Sequence, residues 1–550
     1  MRLILFLLRA SWPVVLLAGA VGALSGVASM GLVVMILRSL RDSGQSSLWP
    51  MALFAALCLV VLSTQIISHM LLSKLTLGTI ARLRVGLCRR ILDSPLKHLE
   101  EIGSQKLLNV LTGDVNVVSQ AMNGVPMLGV NFVILLCGAS YLGWLSPSLL
   151  LGAFLFGALG IGSYWYSSRG AQKYVRRSRD AQDVLFGFVR GLIEGIKEMK
   201  MHHDRRRVFV EKIVESEAAV RDSKFVGDCL HDAAISWGRL TFFLAVGLLL
   251  FLWPRLTHVD SETMTGYAFT IFYLMSPLEQ IIGWLPFLAW ASGSVGQIER
   301  LGLMLNEEES GTERLTPVRD WQQIDFHGVT HTYHREGRPD GFVLGPIDLS
   351  VRRGEMVFVI GGNGSGKTTL GKLIAGLYLP ETGGVSLDGQ PVTNETREGY
   401  RQLFSVVFDD AMVFDNLWGL DADPKNLDQR AGDYLRQLEL DHVVTVRDGA
   451  FSTVKLSRGQ RKRLALVTAY LEDRPIYLFD EWAADQDPAF RKIFYLRLLP
   501  ELKQRGKTVI AITHDDRYFG AADRIVKLEE GKVVDLFRHE MPQNAEQKTL

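Results

Sequence analysis

The sequence predicts a multi-domain membrane protein in which an all-α domain of six transmembrane helices is fused to an α/β domain. Three observations predict it: apolar runs crowd the first three hundred of the 550 residues, the composition turns polar near residue 306, and a glycine-rich turn follows a strand-like run near residue 360. We expect a transmembrane domain over 1–305, a polar linker over 306–322 and the α/β domain over 323–550. The length alone also favours more than one domain.

Six apolar segments are long enough to cross a bilayer, which takes about 20 helical residues. They lie near 13–37, 48–72, 125–144, 147–168, 236–255 and 263–290. The second and fourth connections are long and rich in Arg and Lys, so these loops and both termini are expected in the cytoplasm. The alternative, a large soluble helical core, would need amphipathic helices, yet residues 14–37 carry no charge.

Composition excludes other classes. The formal net charge of +1 argues against a nucleic-acid-binding protein, whose binding domain would be strongly basic. The four cysteines are scattered without the spacing of a zinc site or a redox pair. The apolar run that begins the chain continues to Leu37 without a small-residue cleavage site, so a retained membrane helix is expected rather than a signal peptide.

The glycine-rich turn has the pattern of a phosphate-binding P-loop between the strand-like run 356–360 and a helix. Backbone N–H groups of such a turn surround phosphate oxygens, Lys367 is expected to reach the β- and γ-phosphates of ATP, and the Thr368 hydroxyl is expected to bind Mg²⁺. The predicted ATP-binding residues of this turn are Gly361, Gly362, Asn363, Gly364, Ser365, Gly366, Lys367, Thr368 and Thr369.

Two carboxylates follow a second strand-like run, 476–479. Asp480 fits a residue that helps hold Mg²⁺, and Glu481 fits the residue that orients and polarises the attacking water. Paired acids at a strand end are usually only solvated, but the P-loop makes a hydrolytic site the better interpretation.

The segment 456–463 resembles the signature sequence of ABC transporters, with Arg458 in place of the usual glycine. The resemblance covers the whole chain and implies an ABC exporter half-transporter, which binds and hydrolyses ATP. It implies that His514 is the switch histidine, that Tyr333 stacks on adenine and that Asp487 is the D-loop aspartate. It also implies that Ser457, Arg458, Gly459 and Gln460 cap an ATP molecule held by a second copy, so that a homodimer is required.

Two long loops resemble the cytoplasmic coupling loops of such exporters. We expect contacts with nucleotide-binding domains near His98–Glu101 and near His203–Arg207. The alternative is a merely solvated basic loop.

The chain departs from the usual family pattern at several motifs. Asp409 replaces the glutamine of the Q-loop; its carboxylate could still reach Mg²⁺, with a different charge and reach. The run 481–488 and the two acids at 409 and 410 are similar to a small subgroup that exports cyclic peptides and peptide siderophores, most nearly exporters of the pyoverdine-precursor type. That similarity implies export of a peptide or siderophore precursor across the bacterial inner membrane to the periplasm.

Intramembrane polar residues are candidates for contact with the transported molecule. We hypothesise that Tyr273, Glu279 and Trp284 line a cavity, although a structural ion pair between Arg239 and Glu279 is the favoured alternative. A lipid or drug flippase of the same fold stays open as a function, and an ATP-gated channel or regulator is disfavoured by Glu481 and His514. An importer is disfavoured because the two domains are fused.

Overall fold

The computed structural model describes residues 2–41, 48–252, 261–301, 320–333, 342–420 and 423–538. The chain divides into two compact units, and the division in the second half falls between Leu305 and Asn306. The first unit contains Met1–Arg90 and Gln105–Leu305, whereas Ile91–Ser104 groups with Asn306–Leu550 in the second. Most of the expected linker, up to residue 319, lies outside the described residues.

Long α-helices make up the first unit. In chain order the helices before residue 301 are α1 (Arg2–Arg41), α2 (Leu48–Asp93), α3 (Leu96–Ile102), α4 (Ser104–Asn109), α5 (Val115–Leu145), α6 (Pro147–Glu194), α7 (Ile196–Met201), α8 (His203–Gly247) and α9 (Ser261–Arg300). A π-helical turn, Val110–Asp114, joins α4 to α5, and another, Leu248–Leu252, extends α8.

Four helical segments among the described residues are long and apolar enough to cross a membrane: Gly19–Ser39, Leu48–Asp93, Lys106–Leu145 and Thr263–Arg300. Pro147–Ser163 is a shorter apolar stretch at the start of α6. Helices α6 and α8 carry long charged extensions, which lower their average hydropathy below that of the other four. Residues 253–255, at the end of the apolar segment expected over 236–255, lie outside the described residues.

Small residues allow α5 and α9 to pack closely. Gly124 of α5 lies directly beneath the Trp284 ring, and a Cβ at Gly138 would approach the Leu274 side chain to 2.5 Å. Interfaces of this kind are common between membrane helices, where backbones approach over small residues. Asn131 Nδ2 also donates a 2.8 Å hydrogen bond to Gln280 Oε1 across this interface. These contacts fix which face of α9 turns away from α5.

Two β-sheets form the frame of the second unit. The strands are β1 (Gln323–Tyr333), β2 (Phe342–Arg352), β3 (Met356–Gly361), β4 (Thr382–Leu387), β5 (Gln390–Pro391), β6 (Phe404–Val407), β7 (Val446–Arg447), β8 (Ala450–Phe451), β9 (Ile476–Asp480), β10 (Thr508–Ile512), β11 (Arg524–Glu529) and β12 (Lys532–Arg538). A four-stranded antiparallel sheet has the order β2-β1-β4-β5, and a six-stranded sheet has the order β12-β11-β3-β10-β9-β6. β7 pairs with β8.

The six-stranded sheet is parallel except for β12. Its central strands β9 and β10 are completely buried, as expected for apolar runs covered by helices on both faces. Besides α3, the α-helices described in this unit are α10 (Lys367–Ile374), α11 (Arg397–Arg401), α12 (Pro424–Gln437), α13 (Arg458–Glu472), α14 (Pro488–Ile493) and α15 (Leu499–Gln504). The carboxyl ends of β3, β10, β9 and β6 therefore meet at one edge, where ligands bind in sheets of this type.

The short helix α3 belongs to the second unit and packs against the rest of it. Lys372 Nζ donates to Glu100 Oε1 at 2.7 Å, and the buried Tyr378 hydroxyl donates to Glu100 Oε2. Lys97 Nζ donates to Glu381 Oε1 at 2.6 Å. These contacts confirm the expectation for the first coupling loop, and they explain why Ile91–Ser104 groups with this unit.

Candidate functional site

The P-loop leaves β3 through three glycines with positive φ, Gly361, Gly364 and Gly366. A Cβ on Gly361 would collide with the carbonyl of Leu528, and one on Gly366 would lie 2.8 Å from Leu344. The turn can therefore follow this path only with glycine at these positions. Helix α10 begins at Lys367, so its free N–H groups point into the turn and attract an anion.

Lys367 is the buried cation of the turn, with a side chain only 5% exposed. Its Nζ donates to the carbonyls of Gly361 and Gly362 at 3.0 and 2.9 Å. Burial lowers the pKa of Lys367, while Glu481, whose Oε1 is 3.9 Å from Nζ, and Asp480 favour its charged form. A phosphate oxygen would offer a stronger acceptor than the two neutral carbonyls.

Asp480 fits a site for a divalent cation. It is fully buried, and neither carboxylate oxygen has a hydrogen-bond partner of normal geometry among the described residues. Burial raises the pKa of Asp480 to about 6, and the nearby Thr368 hydroxyl offsets this only in part. A carboxylate and a hydroxyl at the head of a phosphate-binding turn suit Mg²⁺, which would supply the missing positive charge.

Glu481 and His514 meet at the ends of the neighbouring strands β9 and β10. Glu481 Oε1 lies 2.9 Å from His514 Nε2. Glu481 has a φ of +47°, which is unusual for a residue with a side chain, and its N–H donates to Ile512 O at 3.1 Å. Strained backbone of this kind concentrates at functional sites. The result is a half-exposed carboxylate held beside Lys367 and His514.

Tyr333 ends β1 and is exposed, with 39% of its surface accessible. The residues that follow it, 334–341, lie outside the described part of the chain. Its ring is thus accessible for stacking on a planar group, and its contact with adenine stays a prediction.

The signature turn is a regular helix start. Ser457 caps α13: its Oγ accepts from Gln460 N at 3.3 Å, and Gln460 Oε1 accepts from Ser457 N at 3.2 Å. A Cβ on Gly459 would lie 2.6 Å from the carbonyl of Asp485, so glycine is needed for the D-loop to pass this close. No hydrogen bond or ion pair joins 457–460 to the P-loop within the described residues.

The D-loop and the signature helix are tied together. Asp487 caps α14 by accepting from Phe490 N at 2.9 Å, and it accepts from Arg463 Nη2 at 2.7 Å. Gln486 Nε2 donates to Gly459 O at 3.0 Å. The backbone hydrogen bond and the charges of these contacts lower the pKa of Asp487.

Asp409 lies just after β6 and belongs to a group of four charged residues that we call the charge cluster: Asp409, Arg458, Lys462 and Asp485. Lys462 Nζ donates to Asp409 Oδ1 at 2.6 Å, and Arg458 Nη2 bridges both oxygens of Asp409 at 3.1 and 2.9 Å. Although partial burial opposes its charge, Lys462 and Arg458 hold the pKa of Asp409 below its ordinary value. The structure places Asp409 beside these cations.

Sequence reasoning missed Lys462 and Asp485. Lys462 is only 3% exposed and also donates to the Glu481 carbonyl at 2.8 Å. Asp485 Oδ2 pairs with Lys462 Nζ at 2.7 Å and with Arg458 Nε at 3.0 Å. A signal was present, because Arg458 and Lys462 are four residues apart and so share one face of the signature helix.

A cavity of about 400 Å³ lies within the membrane unit. Its wall is mostly apolar, formed by residues such as Phe156, Ile235, Met275 and Ile282, and it contains Glu279. Arg239 Nε donates to Glu279 Oε1 at 2.9 Å, as the ion-pair alternative expected. Tyr273 and Trp284 are not among its described lining residues; Trp284 lies instead against Gly124 and Phe287.

The fold and this edge of strand ends define a class: a P-loop ATPase joined to a helical membrane domain. The family model described as "ABC transporter" matches residues 344–484, and that described as "ABC transporter transmembrane region" matches residues 12–275. The chain is 37% identical over 527 residues to "ATP-binding protein SyrD" of Pseudomonas syringae pv. syringae, with 93% of this chain and 92% of that protein covered.

More distantly similar proteins belong to the same class. An "ATP-dependent lipid A-core flippase" of Dechloromonas aromatica is 26% identical over 562 residues, covering 94% of this chain and 92% of that one. The solved structure of "a bacterial Atm1-family ABC exporter with ATP bound" shares the fold, with a TM-score of 0.75, 15% identity, and coverage of 97% and 95% of the two chains.

This chain belongs to the ABC exporter family. It is therefore a membrane transporter whose ATPase activity, with ATP and Mg²⁺, is coupled to transport. Its fold is that of a half-transporter, a kind of protein that typically dimerises.

Proposed function

We propose that two copies of this chain form a homodimer in the bacterial inner membrane, with both nucleotide domains and both termini in the cytoplasm. The dimer uses ATP to export a peptide or siderophore precursor, similar to a pyoverdine precursor, to the periplasm. The observation that carries the proposal is the gathering of Lys367, Asp480, Glu481 and His514 at one sheet edge, with no described bond to the signature turn.

Each group at the edge has a chemical task in ATP hydrolysis. Lys367 would exchange its two carbonyl acceptors for β- and γ-phosphate oxygens, and Thr368 and Asp480 would hold Mg²⁺. Mg²⁺ when bound neutralises charge on the phosphates. Glu481 accepts a hydrogen bond from the attacking water and aligns it with the γ-phosphate. The Nε2–H group of His514, whose nitrogen lies 2.9 Å from Glu481 Oε1 in this structure, donates to the γ-phosphate once ATP is bound.

The signature turn completes the site from the other subunit. Ser457, Arg458, Gly459 and Gln460 offer a helix N-terminus to an anion, and this subunit's own P-loop does not use it. A closed arrangement of two copies brings each turn to the partner's ATP. Asp487 then lies at the centre, beside the signature helix that it contacts through Arg463.

The dimer is tested with the Glu481→Gln protein, which is expected to bind ATP without hydrolysing it. Distance measurements between spin labels on the two nucleotide domains should show closure with ATP and Mg²⁺, and no closure for Lys367→Ala under the same conditions. Persistent separation in Glu481→Gln, despite measured ATP binding, would contradict the proposal.

The proposed cargo rests on two kinds of support. The run 481–488 is similar to that of peptide and siderophore exporters. In addition, the membrane cavity combines an apolar wall with the Arg239–Glu279 pair, which suits a molecule with an apolar body and charged or amide groups. The alternative cargo is a lipid, because several of the more distant relatives are lipid A-core flippases.

Two measurements separate these cargoes. Secreted metabolites of a deletion strain should lack one peptide product, and purified protein in nanodiscs should show ATPase stimulation by an acylated peptide rather than by lipid A. Stimulation by lipid A alone, with an unchanged peptide profile, would establish the flippase alternative.

A charge swap separates cargo contact from a structural ion pair at Arg239 and Glu279. If the pair is only structural, Arg239→Glu combined with Glu279→Arg restores cargo stimulation that Glu279→Gln removes. If Glu279 contacts cargo, the swap stays unstimulated while basal hydrolysis persists. Glu215→Gln, on the exposed part of α8, is the matched control.

A further inference from the structure

Two departures from the family pattern have opposite charges and meet in space. An acid, Asp409, stands where the family has a neutral glutamine, and a base, Arg458, stands where it has glycine. They are 49 residues apart in sequence, yet the Arg458 guanidinium bridges both oxygens of the Asp409 carboxylate. Each substitution therefore supplies the partner that the other requires.

The cations leave Asp409 with little capacity to bind a metal. Its Oδ1 accepts from Lys462 and Arg458, and its Oδ2 accepts from Arg458. Three of the four lone-pair sites of this carboxylate are thus occupied, and Lys462 and Arg458 would repel Mg²⁺, an ion that already dehydrates reluctantly, at the remaining site on Oδ2. Asp480, by contrast, is buried and has both oxygens without a hydrogen-bond partner among the described residues.

The charge cluster also reaches the hydrolytic residue. Lys462 Nζ bonds to the carbonyl oxygen of Glu481, and Trp482 Nε1 donates to the carbonyl of Lys462 at 2.8 Å. Trp482 is buried and stacks on Phe494 with ring centres 4.2 Å apart. Hydrogen bonds and ion pairs thus link three segments: the loop after β6, the signature helix and the backbone at Glu481.

We propose that Asp409 is a positioning residue that, through its ion pair with Arg458, ties the loop after β6 to the signature turn, and that it is not a ligand of Mg²⁺. The pair sets the position of the turn that caps the partner's ATP. This inference rests on the proposed role of the signature turn, but its central claim concerns bonds within one subunit.

The test compares full-length protein in nanodiscs carrying Asp409→Asn, Arg458→Gln or both, with Asp410→Asn as a control. Asp410 is the adjacent, exposed acid, so the control removes the same charge. Three quantities are measured: ATP turnover with its KM, the half-saturating Mg²⁺ concentration, and hydrogen exchange at the Gln460 and Arg461 amides without nucleotide.

The proposal expects slower turnover with unchanged metal dependence. Because the Arg458 guanidinium is largely exposed, Arg458→Gln should lower kcat about fivefold, and Asp409→Asn, which also loses Lys462, about tenfold. The double variant should match Asp409→Asn rather than the product of the single effects, because both substitutions remove one interaction. Both single variants should speed exchange at the two amides about fivefold, with Mg²⁺ half-saturation unchanged.

The opposite results would overturn it. A rise of about fivefold or more in half-saturating Mg²⁺ for Asp409→Asn alone would make Asp409 a metal ligand. Multiplicative effects in the double variant, or unchanged exchange in Arg458→Gln, would mean that the pair does not position the turn. Arg458→Lys, which keeps the charge, should recover part of the protection. The exchange result does not depend on dimer closure, so it can stand even if Glu481→Gln fails to close.

Discussion

Glu100 anchors α3 to the nucleotide domain, and its removal gives a magnitude that can be worked out. Glu100→Gln loses two charge-assisted hydrogen bonds, from Lys372 at 2.7 Å and from the buried Tyr378 hydroxyl. Glu100 is one-third exposed, so solvent screening reduces each bond to about 1 kcal/mol. The total of about 2 kcal/mol corresponds to a roughly thirtyfold rise in the open population of the anchored segment.

Hydrogen exchange at the Leu99 and Gly103 amides measures this opening. Both amides form backbone hydrogen bonds within the segment, Leu99 to Pro95 and Gly103 to Leu99. Exchange should quicken by roughly thirtyfold in Glu100→Gln, because local opening limits it. Glu101→Gln, which removes the exposed neighbouring acid, should leave exchange near that of the unmodified protein. Equal rates in the two variants would refute the anchoring role of Glu100.

Three further predictions follow from the site and its surroundings. Glu481→Gln should slow steady-state phosphate release by about a hundredfold or more, because a group that accepts the proton or orients the water typically contributes that much. A loss below about tenfold would argue against this role. Gly459→Ala places a methyl group 2.6 Å from the Asp485 carbonyl, so ATP turnover should fall about tenfold while expression and ATP binding are retained. Unchanged turnover would show that the D-loop need not pass so close to the signature turn. The hydrogen bond from Lys97 lowers the pKa of Glu381 to about 2 from an ordinary 4.5, so the stability from this pair is fully present between about pH 5 and neutral pH and is lost as pH falls towards 2. Amide protection of α3 that disappeared near about pH 6 would contradict this assignment.

The grouping of the candidate site's side chains at one sheet edge could be predicted from sequence because its parts are local. Each is a short buried strand followed directly by polar residues, and parallel strands bring such ends together. The geometry brings Lys367, Asp480, Glu481 and His514 within reach of one another. The partner of Asp409 could not be predicted in this way, because it depends on the packing of a helix that begins 49 residues later.

The cavity illustrates a different limit. Hydropathy indicated that the α9 segment is intramembrane, but the face that lines a cavity depends on which helix packs opposite. At about 100° per residue, Met275, Glu279 and Ile282 share one face of α9, whereas Trp284 lies about 140° away from Glu279. Gly124 accepts the Trp284 ring on that other face. Helical periodicity could therefore have placed Glu279 and Trp284 on different faces of α9. It could not have shown which of the two faces lines the cavity.

The membership of Ile91–Ser104 in the second unit has a practical consequence for dissecting this transporter. A fragment beginning at Asn306 would lack a piece of its own surface, since Leu96 covers part of the core and Glu100 satisfies Lys372 and Tyr378. Such a fragment would present an uncovered hydroxyl and apolar patch to solvent. A catalytic module cut out as one uninterrupted stretch of polypeptide would therefore lose these contacts, and a chimera that keeps them must carry the distant insert with it.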